Sequence, residues 1–202
     1  MIAIIDYGVG NLYSLHSSLA YLKTDSVVTR SAEVLRQADK IILPGVGAFG
    51  DAMARLTDTG LVPVIKELAA EGKPILGICL GMQMLFEKSF EYGEHDGLGL
   101  IGGRICPLRD DIDPEAKVPH MGWNSLDFKA DSPLLKYIRE GDFVYYVHSY
   151  YAKNCGAATA ASSEYGVSVP GLVQCGNVFG TQFHPEKSGD VGLRILKAFA
   201  EL

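Results

Sequence analysis

Basic residues never cluster in this sequence: 18 lysines and arginines are scattered among 24 acids, and the formal net charge is -6. A nucleic-acid surface needs grouped cations to meet phosphates, so that class of partner is not expected. Long apolar runs are missing as well. No stretch approaches the roughly 20 uninterrupted apolar residues of a membrane helix. The opening run Met1 to Asp6 is too short, and lacks the basic flank, for a secretion signal. It reads as a first buried strand, in a protein expected to stay in the cytoplasm and off the membrane. Cysteine is sparse: Cys79, Cys106, Cys155 and Cys175 are irregularly spaced with no C-x-x-C pair. Neither a disulfide framework nor a zinc site is supported. There is no internal repeat and no linker, and 202 residues with 48% hydrophobic and 21% charged residues suit one globular domain spanning 1–202.

What is present is an alternation of short apolar runs and helix-period segments. Ile2 to Ile5 reads as a strand, Leu12 to Leu22 as a helix with apolar Leu12, Leu15, Leu19 and Leu22, and Lys40 to Leu43 as a strand. Helices are expected around Asp51 to Leu56 and Leu61 to Ala70, before the break Gly72-Lys73-Pro74 and a central strand over Ile75 to Ile78. Strands apolar on both faces belong in a sheet covered by helices on each side. From Leu98 onward the texture changes to short strand candidates: Ile101 to Ile105, Ser125 to Phe128, Phe143 to Val147, Gly156 to Ala161, Leu172 to Cys175 and Val178 to Gln182. A last helix, Asp190 to Leu202, closes the other face. The expected fold class is α/β: an open mixed sheet, mostly parallel, with helices on both faces and added antiparallel strands.

Gly77-Ile78-Cys79-Leu80-Gly81 follows a strand and opens a helix, the arrangement of a nucleophile elbow with cysteine in the serine position. Flanking glycines let strand and helix approach closely enough to expose the nucleophile, and the helix N-terminus favours a thiolate. Taken alone, such a motif is as well explained by a buried core thiol. A cysteine nucleophile also needs a base, and Phe183-His184-Pro185-Glu186 supplies one. Proline biases His184 towards extended geometry, so Glu186 reaches back to the same side and fixes the ring. His148 and His120 are rival bases, but each lacks a carboxylate two residues on, and His148 sits in an apolar strand where a structural histidine is ordinary. Gly8-Val9-Gly10 fails as a dinucleotide fingerprint because Tyr13 stands where a third glycine is needed. The turn Pro44-Gly45-Val46-Gly47 also follows a strand, and beside an elbow its N–H groups suit an oxyanion.

In this order PGVGAFG, GICLGMQ and FHPEKS resemble the class I glutamine amidotransferase family across essentially the whole chain. The segments DYGVGN (6–11), PHMGWN (119–124) and YYVHSYY (145–151) are similar to the branch that serves imidazole glycerol phosphate synthases. Other branches typically carry a Gly-Gly-Glu-Ser type turn where Gly45-Val46-Gly47 stands, or a histidine where Met82 stands. The resemblance implies a triad of Cys79, His184 and Glu186, an oxyanion held by N–H groups of Leu80 and the Val46 segment, and L-glutamine held by Gly47, Gln83, Ser149 and Tyr150. It aligns Glu91 with a carboxylate that meets the substrate's α-amino group. It implies no metal or organic cofactor. It also implies a heterodimer with a (β/α)8-barrel cyclase subunit that takes the ammonia, with Asn11, Trp123, Tyr145 and Lys187 near that interface. Without the resemblance, Trp123 and Tyr145 read more readily as core, and Lys187 as a solvated charge. Three alternatives stay open: the glutaminase of another ammonia-using synthase, a stand-alone cysteine hydrolase or peptidase, and a non-catalytic subunit that keeps the scaffold.

Overall fold

A computed structural model describes residues 1–202. The amino-terminal half alternates strand and helix: β1 (Ile2–Ile5), α1 (Leu12–Tyr21), β2 (Ser26–Thr29), α2 (Ala32–Gln37), β3 (Lys40–Leu43), α3 (Phe49–Asp58), α4 (Leu61–Ala70), β4 (Ile75–Ile78) and α5 (Leu80–Met84). Short strands follow: β5 (Phe86–Ser89), β6 (His95–Asp96), β7 (Ile101–Pro107), β8 (His120–Ser125), β9 (Asp127–Phe128), β10 (Phe143–His148), β11 (Tyr150–Lys153), β12 (Thr159–Glu164), β13 (Ser168–Cys175) and β14 (Val178–Thr181). The helix α6 (Gly189–Ala200) ends the chain.

One 8-stranded sheet runs in the order β2-β1-β3-β4-β14-β13-β12-β9. Strands β2, β1, β3, β4 and β14 are mutually parallel, and β13, β12 and β9 add on in antiparallel fashion. The expected mixed, mostly parallel sheet is therefore what forms. Every residue of β1, β4 and β14 is buried, because helices cover both faces. Side chains alternate across β1, so Ala3 and Ile5 join a core with Leu35 of α2, Leu56 of α3 and Leu68 of α4. Ile2 and Ile4 join a second core on the opposite face with Leu15 and Leu19 of α1 and Ile195, Leu196 and Phe199 of α6.

Several elements differ from the sequence expectation. The β1-α1 unit leads first to β2, whose Ser-Val-Val-Thr is only partly buried at the sheet edge, and β3 then pairs on the other side of β1. Gly156–Ala158 forms a 3-10 turn, so β12 begins only at Thr159. Ser125 closes β8 rather than opening a strand, and Asp127–Phe128 pairs separately with β12. Two smaller sheets flank the main one: β10 with β8, and the four strands β11-β7-β5-β6. No helix is long and apolar enough to cross a membrane.

Candidate active site

The chain order reverses about β1 and β3, and in open α/β sheets ligands gather beyond the carboxyl ends of strands at such a point. Here the loops after β1, β3, β4 and β14 are DYGVGN, PGVG, the Cys79 elbow and the His184 segment. Cys79 has φ 55° and ψ -110°, a left-handed backbone that side chains other than glycine seldom adopt. The strain is held from both sides. Cys79 N–H donates to Thr181 O at 2.7 Å, and Cys79 O accepts from Gln83 N–H at 3.1 Å. The close packing that this turn needs explains the flanking glycines. A Cβ on Gly81 would lie 1.9 Å from Leu43 O, and one on Gly77 would lie 2.6 Å from Gly81 O.

His184 arrives from the strand beside it, since β14 is parallel to β4 with Thr181 opposite Ile78. Its loop is clamped by β10: His184 N–H donates to Tyr145 O at 3.0 Å, Tyr145 N–H donates to Ser188 Oγ at 2.9 Å, and Ser188 Oγ donates to His184 O at 2.7 Å. The ring's Nδ1 lies 2.8 Å from Glu186 Oε1, with the two side chains 2% and 1% exposed. A carboxylate only accepts, so Nδ1 carries the hydrogen and Nε2 is left for other chemistry. Burial works against a charged imidazole, but the Cys79 sulfur and the Glu186 carboxylate outweigh it and push the ring's pKa up to about 9.

The rival histidines have different employment. His148 Nδ1–H donates to Tyr150 O at 2.9 Å, so its Nε2 accepts, and His120 Nδ1 lies 2.9 Å from it as donor. His120 Nε2 in turn lies 3.3 Å from Asn124 Nδ2. This chain fixes both tautomers. Burial lowers the pKa of His120 to about 4, and burial together with His120 lowers that of His148 to about 3. Both rings are neutral parts of the β8–β10 packing.

A cavity of about 330 Å³ is lined by Cys79, His184, Val46, Gly47, Leu80, Gln83, Glu91, Ser149, Tyr150 and Lys187, with Pro119, Val147 and His148 completing the wall. The structure thus brings together the nucleophile and base candidates, both oxyanion candidates and all five substrate candidates. Glu186 stands behind His184. Glu91 is fixed by accepting the Phe49 N–H at 2.6 Å, at the start of α3. Burial raises its pKa, partly offset by that hydrogen bond. Asn11 lies elsewhere, at the head of α1, where it makes no side-chain cap. Trp123 and Tyr145 are not core. They pair across β8 and β10, their rings meet edge to face at 6.0 Å, and Trp123 is 56% exposed. A larger hollow of about 690 Å³ against Phe128 to Lys136 contains no cysteine or histidine. Sequence reasoning missed Gln182, which it treats only as the end of a strand and which is fully buried next to Cys79. Its partners come from distant segments, so only the strand pairing reveals it.

The arrangement can activate a thiol, hold a carbonyl against helix-terminal amides and move a proton through one imidazole. Comparison with known proteins agrees. The family profile described as "Glutamine amidotransferase class-I" matches residues 3–201. The imidazole glycerol phosphate synthase subunit HisH of Bacillus licheniformis is 52% identical over 204 aligned positions, covering 100% of this chain and 96% of the relative. The protein of the same name from Listeria monocytogenes is 50% identical, covering 100% of this chain and 96% of its own length. Among solved structures, a glutamine amidotransferase superposes with a TM-score of 0.76 at 18% identity, covering 100% of both chains. PurLQS from Thermotoga maritima gives 0.74 at 20% identity, covering 99% of this chain and 97% of that one. Matched along essentially its whole length and half identical to curated members, the chain belongs to the class I glutamine amidotransferase family.

Proposed function

We propose that this chain is the glutaminase subunit of an imidazole glycerol phosphate synthase. In that role it hydrolyses L-glutamine to glutamate and passes the ammonia to a cyclase subunit that makes imidazole glycerol phosphate and AICAR in histidine biosynthesis. The observation that carries the chemistry is the convergence of Cys79 and His184 on one cavity, with Glu186 hydrogen-bonded behind the ring, beside an elbow packed too closely for a Cβ on either flanking glycine. The choice of synthase rests on relatives about half identical over the full chain that carry that name. Residues 1–202 act as a single glutaminase domain in the cytoplasm.

The Cys79 thiolate attacks the side-chain carbonyl of glutamine. Helix geometry leaves the first-turn amides of α5, Leu80's among them, without intrahelical acceptors, and with the Val46 segment they receive the oxyanion. His184 gives its proton to the departing ammonia, and a γ-glutamyl thioester remains. Water enters, His184 takes its proton, and the thioester is hydrolysed to glutamate with the thiolate restored. Glu186 holds the ring's tautomer and stabilises the imidazolium in both halves. Gly47, Gln83, Ser149 and Tyr150 line the substrate's path, and Glu91 offers a carboxylate to its α-amino group. Every step uses protein groups and water.

The partner is a (β/α)8-barrel cyclase in a heterodimer. Its docking face includes Trp123 and Tyr145, with Met121 and Phe143 on the same side of the β8–β10 ribbon. Met121, Trp123 and Phe143 are 65%, 56% and 55% exposed, an apolar group that water alone would not favour. Asn11 and Lys187 belong to the same interface. Cys79→Ala tests the whole reading. In the reconstituted complex it should abolish glutamine-dependent product formation while ammonia-driven synthesis continues. Glutamine turnover equal to wild type in that variant would eliminate the mechanism.

A further inference from the structure

Gln182 has no part in the steps above, yet it is fully buried next to the nucleophile. With Thr181 opposite Ile78 in the parallel pair of β14 and β4, the next residue of each strand, Gln182 and Cys79, leaves the sheet side by side. Gln182 Nε2 lies 3.8 Å from Cys79 Sγ. Which end of this amide faces the sulfur is settled by a chain of partners. Gln83 Nε2 lies 2.9 Å from Tyr150 O and 3.0 Å from Gln182 Oε1. A main-chain carbonyl can only accept, so the Gln83 group that meets it is the NH2. The second hydrogen of that NH2 needs an acceptor, so Gln182 presents its oxygen there. Its own NH2 is therefore turned to the sulfur. Tyr150 O is itself anchored, because it also accepts from His148 Nδ1.

The sulfur sits between opposed influences. Val147 O, 3.9 Å away, is an acceptor and favours the protonated thiol. The Gln182 N–H favours the anion, since hydrogen bonds to a charged acceptor are roughly twice as strong as neutral ones. We infer that Gln182 is a catalytic residue whose side-chain N–H stabilises the Cys79 thiolate before attack and as it is regenerated from the thioester. This rests on the reading of Cys79 as nucleophile. No proton leaves Gln182 at any stage; it donates one hydrogen bond and keeps its hydrogen.

The test is the pH dependence of Cys79 alkylation by iodoacetamide in the full-length chain, followed by peptide mass spectrometry. Gln182→Met keeps length and apolar bulk but offers no donor, and Gln182→Leu serves if the first variant folds poorly. The expected result is alkylation of Cys79 slowed by roughly 10-fold at neutral pH, with its midpoint moved about one pH unit upward. Exposed Cys175 serves as the internal control and should be unaffected. A purely structural role would lower thermal stability or raise KM and leave the alkylation midpoint in place, and that outcome overturns the inference. In the wild-type chain the same contact should show as a Gln182 amide proton resonance that moves upfield when Cys79 is alkylated; an unmoved resonance contradicts it. Alkylation of Cys79 that leaves glutaminase activity intact would instead remove the nucleophile reading itself, and the inference with it.

Discussion

At His184 the balance of burial against two neighbours sets the pH range in which the site works. Burial alone would strip the proton from this imidazole, and the Cys79 sulfur and the Glu186 carboxylate together restore it, with a pKa of about 9. On the proposed mechanism the ring therefore holds the proton for departing ammonia throughout the neutral range, and loses it as pH rises through about 9. Glutamine acylation should fall along that basic limb. The same interaction contributes stability that is complete below the ordinary value of 6.5 and disappears as pH passes about 9. Glu186→Gln keeps an acceptor for Nδ1–H but removes the charge. Its basic limb should move downward from about 9, and glutaminase turnover should drop on the order of 100-fold. A pH–rate profile of the variant that overlays the wild type would show that Glu186 does not sustain the imidazolium.

At the level of elements, the elbow is a packing problem solved by two glycines. Strand β4, the start of α5 and the end of β3 approach so closely that a Cβ on Gly81 would lie 1.9 Å from a backbone oxygen, which cannot move aside without displacing the Val46 turn. Gly81→Ala should cost at least about 3 kcal/mol in urea unfolding, as severe overpacking does, and a midpoint unchanged from wild type would show that the elbow is looser than described. Much of this arrangement is legible in the sequence. Ile2–Ile5 and Ile75–Ile78 announce themselves because strands covered on both faces must be apolar throughout. Pro185 biases His184 towards the extended backbone that it has, but the chain then enters a 3-10 turn over Pro185–Lys187. It is this turn, not a continued extended run, that brings Glu186 back to the ring. Other elements are silent for physical reasons. Strand β2 is a partly exposed edge with no pattern, and β5 has a buried-exposed-exposed-buried rhythm that matches neither period. One signal was available: Ser31, whose hydroxyl accepts from Val34 N–H, caps α2. Gln182 gives no sequence signal, because its place depends on β14 pairing with β4, a contact across 103 residues.

In the whole molecule one ribbon joins the cavity of Cys79 and His184 to an apolar outer face. Strand β10 carries Tyr145 and Phe143 beside Trp123 while its backbone clamps the His184 loop, so in the proposed heterodimer a partner seated on that face would be one strand away from the proposed base. Sequence alone, without the family resemblance, favours burial for these aromatics. The structure exposes Trp123, as a docking residue requires. Trp123→Ala should weaken binding of the cyclase subunit by roughly 30-fold, the scale of an aromatic hot spot, with little change in the melting temperature of the isolated chain. Unaltered affinity in titration calorimetry would place the interface elsewhere. The central claim, that one thiol in this molecule attacks glutamine, is tested most directly by a diazoketone analogue of glutamine applied to the assembled complex. The account predicts one equivalent of label, on Cys79, with glutamine-dependent synthesis lost and ammonia-dependent synthesis kept. Inactivation with Cys79 unmodified, or full glutaminase activity with Cys79 labelled, would contradict it.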